Sequence, residues 1–209
     1  MSGSEAIEAL RKIPGYEAAS PRQVERLGGM TNRVYRVAID GSDGDLVLRI
    51  PGEGTEEYID RNVEAHNSQA AHRAGVSPQV LYCDPKTGIM LTRHVPGTTM
   101  TPALFRQTPG APTRAAQAFK QLHESGETFE FRFELFTMIE DYLKVLARLG
   151  AELPEGYHDV VAEAASVREA IEARPARLVP CHCDPLCENF LDTGSRMWVV
   201  DWEYSGMND

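Results

Sequence analysis

Cysteine is scarce in this 209-residue chain, with four residues, Cys83, Cys181, Cys183 and Cys187, three of them inside one short stretch. That layout makes a poor disulfide framework, so the thiols read as free and the compartment as reducing. No apolar run reaches the roughly 18 residues needed to span a bilayer, and the first 13 residues are polar and of mixed charge, unlike a secretory signal. The expectation is a cytoplasmic protein with no membrane insertion. Positive charge is also in deficit, 21 Lys and Arg against 31 Asp and Glu, for a net charge of −10. This argues against a nucleic-acid partner, which would require a basic stripe to meet phosphates. Neither a Walker A pattern nor G-x-G-x-x-G occurs, so the P-loop and dinucleotide-binding readings fail.

What is present is ordinary for a globular chain, with 42% hydrophobic residues and length for two lobes of roughly 100 residues each. Helical spacing over residues 6–13 stops at Pro14-Gly15. Residues 23–27, 34–39 and 45–50 read as antiparallel strands, the last two joined by a tight Asp/Gly turn. Residues 56–74 predict a helix closed by Gly75, and 79–83 and 89–95 two further strands around the turn at 84–88. Beyond Pro96-Gly97 the pattern turns helical at 113–124, 133–149 and 157–173, with short strands at 178–181, 189–191 and 197–200. The expected lobes are residues 1–95 and 96–209. Their net charges are −2 and −8, so the acidity belongs to the second, where it serves as solvated surface or as an attraction for a cation.

The chemistry concentrates near the end. His182-Cys183-Asp184 is followed after four residues by Asn189, with a short apolar strand on each side. This spacing matches a kinase catalytic loop, in which the aspartate meets the attacking hydroxyl and the asparagine ligates Mg²⁺. Twelve residues on, Asp201 directly follows the apolar stretch Met197-Trp198-Val199-Val200, where that pattern places a second metal-binding carboxylate. Any one of these residues could merely cap a turn; their combination on a strand-rich first half and a helical second half is what carries weight. His182 reads as a scaffold for the loop backbone. Cys181, Cys183 and Cys187 read as packing residues, since adjacent ligands on an extended backbone point apart and no second pair completes a zinc site. Trp198 and Trp202 are expected in the core.

Gly28-Gly29-Met30-Thr31-Asn32 before a strand, Leu46-Val47-Leu48-Arg49-Ile50-Pro51-Gly52, Arg61-Asn62-Val63-Glu64, Gly75-Val76-Ser77-Pro78, the loop from His182 to Leu191, and Asp201-Trp202-Glu203-Tyr204 together resemble the choline/ethanolamine kinase family. The resemblance runs from about Val24 to the last residue. It implies an α+β, two-lobed protein-kinase-like fold, with a small antiparallel sheet and helix in the N-lobe and a mainly helical C-lobe. It also implies ATP as co-substrate with Mg²⁺, and transfer of the γ-phosphate to a small cationic alcohol, choline first and ethanolamine second. Gly28, Gly29, Met30, Thr31 and Asn32 then correspond to a turn covering the phosphates, and Arg49 with Glu64 steadies them. Leu91 to Val95, with Leu91 and Arg93 among the expected nucleotide-binding residues, form the hinge that offers backbone donors and acceptors to adenine. Asp184, Asn189 and Asp201 are catalytic, Asn189 and Asp201 hold the metal, and Asp184 and Tyr204 meet the acceptor, whose quaternary ammonium needs an aromatic cage. The family continues with further helices, so a chain stopping at Asp209 is expected to be a fragment or a shortened form with an incomplete acceptor side. The alternatives are an aminoglycoside or other small-molecule kinase of the same fold, and a nucleotide-binding module without turnover.

Overall fold

Apolar residues alternate through the second strand and run together in the third, the signature of a sheet covered on one face at its edge and on both faces at its centre. The computed structural model, which describes residues 2–29, 32–52, 54, 59–174 and 176–209, shows that sheet. It is antiparallel, with β1 (Pro21–Gly28), β2 (Arg33–Ile39), β3 (Leu46–Ile50), β4 (Val80–Cys83) and β5 (Met90–Arg93) in the order β1-β2-β3-β5-β4. The register sets Val34 opposite Arg49 and Arg49 opposite Met90. Helix α1 (Ser2–Leu10) lays Ala6, Ala9 and Leu10, followed by Ile13, on Tyr35, Val37, Leu46, Leu48 and Leu91, forming the first core. The edge strand β1 is largely exposed and carries Arg22, Glu25 and Arg26, charges that discourage edge pairing.

Helix α2 spans Arg61–Arg73, shorter than the 56–74 expected. Glu56 lies outside the described residues, and Asp60 is extended because it caps the helix, its side chain accepting from the Asn62 and Val63 amides. At the other end Gly75 takes φ +75° and donates its N–H to the His72 carbonyl, as a C-terminal glycine does.

The chain then crosses to the second lobe. It contains β6 (Thr98–Thr99), α3 (Pro102–Gln107), α4 (Ala111–His123), α5 (Leu135–Arg148), α6 (Tyr157–Glu172), β7 (Val179–Cys181), β8 (Phe190–Asp192), β9 (Met197–Val199) and β10 (Gly206–Asn208). β6, β8 and β9 form one small sheet, β7 and β10 another. Elements β6, α3 and β10 have no counterpart in the sequence reading, because two to six residues are too few to show a period. Helix α4 buries Ala111, Ala115, Ala118 and Leu122, one face at helical spacing, against Met100, Phe129, Phe190, Met197, Val199 and Trp202. This second core also takes Ala70, Ala71, Ala74 and Val76, so the C-terminal end of α2 packs with residues that follow position 95.

Helices α5 and α6 bury none of their residues, and Leu135, Tyr142, Leu149, Val160 and Val167 stand about half or more exposed. An ion pair between Arg168 and Glu140 links the two helices. No helix among the described residues is long and apolar enough to cross a membrane.

Candidate active site

Strand β7 delivers the chain into the loop that begins at His182. The buried imidazole has Nε2 2.9 Å from the Val200 carbonyl and Nδ1 3.3 Å from the Asp184 amide. A carbonyl only accepts and an amide N–H only donates, so the ring is neutral with its proton on Nε2. Burial pushes the His182 pKa below its usual value, in keeping with that form. The scaffold role is thus explicit: one ring ties Asp184 to the residue preceding Asp201. The Asp184 carbonyl accepts from the Asn189 Nδ2 at 3.0 Å and from the Leu186 amide at 2.9 Å. With both backbone groups held, the Asp184 carboxylate has a fixed origin. Asn189 sits at the end of the single 3₁₀ turn Cys187–Asn189, and its carbonyl oxygen accepts from the Val200 amide. Cys183 and Asp201 are the two described non-glycine residues at positive φ, +63° and +69°. Such backbone is unfavourable for side-chain-bearing residues and clusters at functional sites.

Across from the loop, the sheet and α2 supply cations. Arg49 on β3 and Glu64 on α2 are both buried and hydrogen-bonded to each other, as expected of them. Arg61 donates to the other Glu64 oxygen at 2.7 Å and to Glu203 Oε2 at 3.1 Å. Arg49 Nη1 also stands 3.7 Å from Asp201 Oδ1, and its Nη2 reaches the Gly88 carbonyl at 3.4 Å. Burial alone raises the Glu64 pKa, but the two guanidiniums outweigh it and hold the carboxyl below its ordinary value. Asp201 goes the other way. Burial, then the neighbouring Glu203 carboxylate, push it up to about 7 despite Arg49. A third of the Asp201 side chain is accessible, yet Oδ1 is covered and has no hydrogen-bond partner.

The donor set suits a hard cation. Carboxylate oxygens of Glu64, Asp201 and Glu203 lie within 4.8 Å of one another, and all-oxygen ligands select Mg²⁺ over softer metals. Both Glu64 oxygens are committed to arginines and Glu203 Oε2 to Arg61 and Asn32, whereas Asp201 Oδ1 is covered and accepts no hydrogen bond. The thiols fit no such role, since burial raises the Cys181 pKa and pushes Cys183 up to about 12, keeping both protonated.

The other expected residues divide. Asn32 reaches the cluster, donating Nδ2–H to Glu203 Oε2 at 3.3 Å. Gly28 and Gly29 hold φ +139° and +103°, and a Cβ on Gly29 would collide with the Asn32 carbonyl, so the turn requires glycine there. Met30 and Thr31 lie outside the described residues. The hinge assignment needs correction at two positions. Leu91 pairs with β3 on one side and β4 on the other, and the Arg93 amide is taken by the Gln79 carbonyl at 2.9 Å. Both lie inside β5, within the strand expected over 89–95, and the Arg93 N–H is spent within the sheet region rather than facing a ligand. Trp202 is in the core, donating Nε1–H to Ser77 Oγ at 3.0 Å, whereas Trp198 is only half-buried with the Arg196 guanidinium 4.0 Å above its ring.

A groove of about 280 Å³ opens on the Asp184 side, lined by Phe133, Met138, Tyr142, Cys183, Asp184 and Tyr204 among others. Sequence reasoning found Tyr204 and Asp184 but missed Phe133, Met138 and Tyr142, which lie in or just before α5, far from the catalytic loop in sequence. It also gave no role to Arg61 or Glu203. The one local signal was the nearness of Glu203 to Asp201 in the sequence, two carboxylates flanking Trp202, which is buried in the core.

The choline/ethanolamine kinase family model matches residues 24–209. Protein LicA of Haemophilus influenzae is 30% identical over 184 residues, covering 88% of this chain and 53% of that protein. Ethanolamine kinase 2 of Mus musculus is 27% identical, covering 97% and 54%. The chain thus spans about half the length of these relatives. Among solved structures, a choline/ethanolamine kinase family protein from Mesorhizobium loti superposes with a TM-score of 0.86 at 56% identity, covering all of this chain and 67% of that one. Choline kinase LicA of Streptococcus pneumoniae superposes at 0.80 with 24% identity, covering all of this chain and 71% of that one. The fold is the two-lobed protein-kinase-like one, shared with aminoglycoside phosphotransferases, and by its sequence this chain belongs to the choline/ethanolamine kinase family.

Proposed function

We propose that the protein transfers the γ-phosphate of ATP to the hydroxyl of a small amino alcohol, choline first and ethanolamine second. The observation that carries this reading is the placement of Asp184 in one groove with Phe133, Tyr142 and Tyr204. A quaternary ammonium offers no hydrogen bond and is held by aromatic faces and Coulomb attraction, and the net charge of −10 favours a cationic ligand. A polycationic aminoglycoside would need several carboxylates, and the residues lining the groove include one.

In the reaction, the acceptor oxygen bonds to the γ-phosphorus as the bond to the ADP oxygen breaks. Asp184 takes the hydroxyl proton, from a backbone fixed by His182 and Asn189. Arg49, held by Glu64, presents a permanent positive charge toward the phosphates. Asn189, Asp201 and Glu203 would hold Mg²⁺, which neutralises charge on the transferring phosphoryl group. Relatives of the fold include a LicA complex with AMP. On the hinge side, Arg93 and His94 have their amides committed to Gln79 and Asp45, so adenine is met beyond them, at Val95.

The test is ADP release from Mg-ATP with choline, ethanolamine and an aminoglycoside. Choline is expected to give the highest kcat/KM, and Asp184→Ala to lower turnover by about 10²–10⁴-fold with ATP binding preserved. Near-normal turnover in that variant refutes the mechanism; ATP binding with no turnover on any acceptor supports a nucleotide-binding module instead.

A further inference from the structure

Turns between strands ordinarily run over the surface, and in the one joining β4 to β5 the residues Pro85, Lys86 and Thr87 are exposed, yet Gly88 is buried. It is buried because the turn ends against the site. Asp84 shapes the turn: its carboxylate accepts from the Lys86 amide at 3.0 Å and the Thr87 hydroxyl at 2.6 Å, and its carbonyl accepts from the Gly88 amide at 2.7 Å. Gly88, pinned in this way at φ +69°, touches both arginines of the site. Its carbonyl accepts from Arg49 Nη2 at 3.4 Å, while Arg49 Nη1 faces Glu64 and Asp201. A guanidinium is a rigid plane, so a contact at one nitrogen sets where the other points. Gly88 also lies against Arg61. A Cβ on it would stand 3.1 Å from Arg61 Nε, 3.4 Å from Arg61 Cδ and 2.9 Å from Pro51 Cγ. Arg61 runs through that space to donate to Glu64 and Glu203.

Resting on the kinase reading, we propose that the β4–β5 turn braces the two arginines of the site, with Gly88 a positioning residue that aims Arg49 at the nucleotide phosphates. The turn touches no phosphate itself. It acts by offering Arg49 a carbonyl and by leaving Arg61 the room that a side chain would take.

A brace and a merely structural glycine differ in what a substitution does to the nucleotide. Gly41, in the β2–β3 turn, holds φ +78° with nothing within 4 Å of where a Cβ would stand, so Gly41→Ala brings the same backbone strain without the contact. Asparagine tolerates left-handed backbone, so Gly88→Asn brings the contact with less strain. Binding of Mg-ATP is measured by calorimetric titration, alongside denaturant midpoints and the KM for choline. Gly88→Ala and Gly88→Asn should both raise the Kd for Mg-ATP about 10-fold, the scale of one hydrogen bond to a charged group, and leave the KM for choline unchanged. Gly41→Ala should lower the denaturant midpoint about as far as Gly88→Ala does, with the Kd unchanged. Gly88→Asn should lose less stability than Gly88→Ala and as much nucleotide affinity. Wild-type affinity in both Gly88 variants of a protein that turns over choline overturns the brace and keeps the kinase reading, and an equal loss of affinity in Gly41→Ala overturns it as well. Failure of the unaltered protein to bind Mg-ATP removes the kinase reading and the brace with it.

Discussion

His182 shows how much one side chain can settle. Its neutral ring accepts from Asp184 on one side and donates to Val200 on the other, and a second ring proton would face the Asp184 N–H. Since burial depresses its folded-state pKa, the ring binds a proton less readily in the folded chain than in the unfolded one. Its contribution is therefore complete above the unfolded value of about 6.5 and is lost as pH falls through the folded one. We expect denaturant midpoints to decline from pH 7 to pH 5, with a slope of at most about 1.4 kcal/mol per pH unit from this group. His182→Gln should flatten that segment of the curve, and an identical slope in the variant would assign the acid sensitivity elsewhere. The role of His182 was legible from the sequence as a scaffold, because its position in the His-x-Asp pattern carries it. The roles of Arg61 and Glu203 were not, since nothing local tells a charged residue which distant partner it will meet.

At the scale of elements, α2 is the member that joins the halves. Its N-terminal turn carries Arg61 and Glu64 to the site, and its C-terminal end packs in the second core. Between them Asn67, fully buried, donates to the Ser205 carbonyl and hydroxyl at 3.0 and 3.1 Å and accepts from the Glu130 amide at 3.0 Å. These bonds pin the helix to the segment after Asp201, one turn along from Glu64. Asn67→Ala would leave the buried Ser205 carbonyl and the part-buried Glu130 amide without this partner. The expected cost is about 2–3 kcal/mol of unfolding free energy, read by denaturant titration, and a loss under about 0.5 kcal/mol would show that water replaces the side chain. Helix α2 itself was visible in the sequence as a run without Gly or Pro ending at Gly75. Its start was misplaced because Asp60, an ordinary polar residue in the sequence, acts as the cap only once its carboxylate turns back on the Asn62 and Val63 amides.

Taken whole, the molecule has two cores and one pair of helices that belongs to neither. With no buried residue in α5 or α6, few apolar contacts resist their opening, and local stability follows such contacts. Hydrogen exchange should be fastest, among the helices longer than one or two turns, at 135–148 and 157–172, and slowest in α4 and the strands around Leu48 and Leu91, which are fully buried. Protection of α5 equal to that of α4 would mean that its apolar face is covered in solution. The groove beside Asp184 shares residues with α5, so acceptor binding should slow exchange there.

The order of the longer elements, the His182–Asn189 motif and the family could be read from the chain, because period, capping and motif spacing are local properties carried by neighbouring residues. The chain also carried the pairing of Arg49 with Glu64, through the motif in which they occur. Only the tertiary structure decided that Asn32 meets Glu203, that the C-terminal end of α2 packs in the second core, and that Phe133 and Tyr142 face the groove with Asp184. Those contacts join residues tens to more than a hundred positions apart, and their partners are selected by the packing of whole elements, which no stretch of sequence contains.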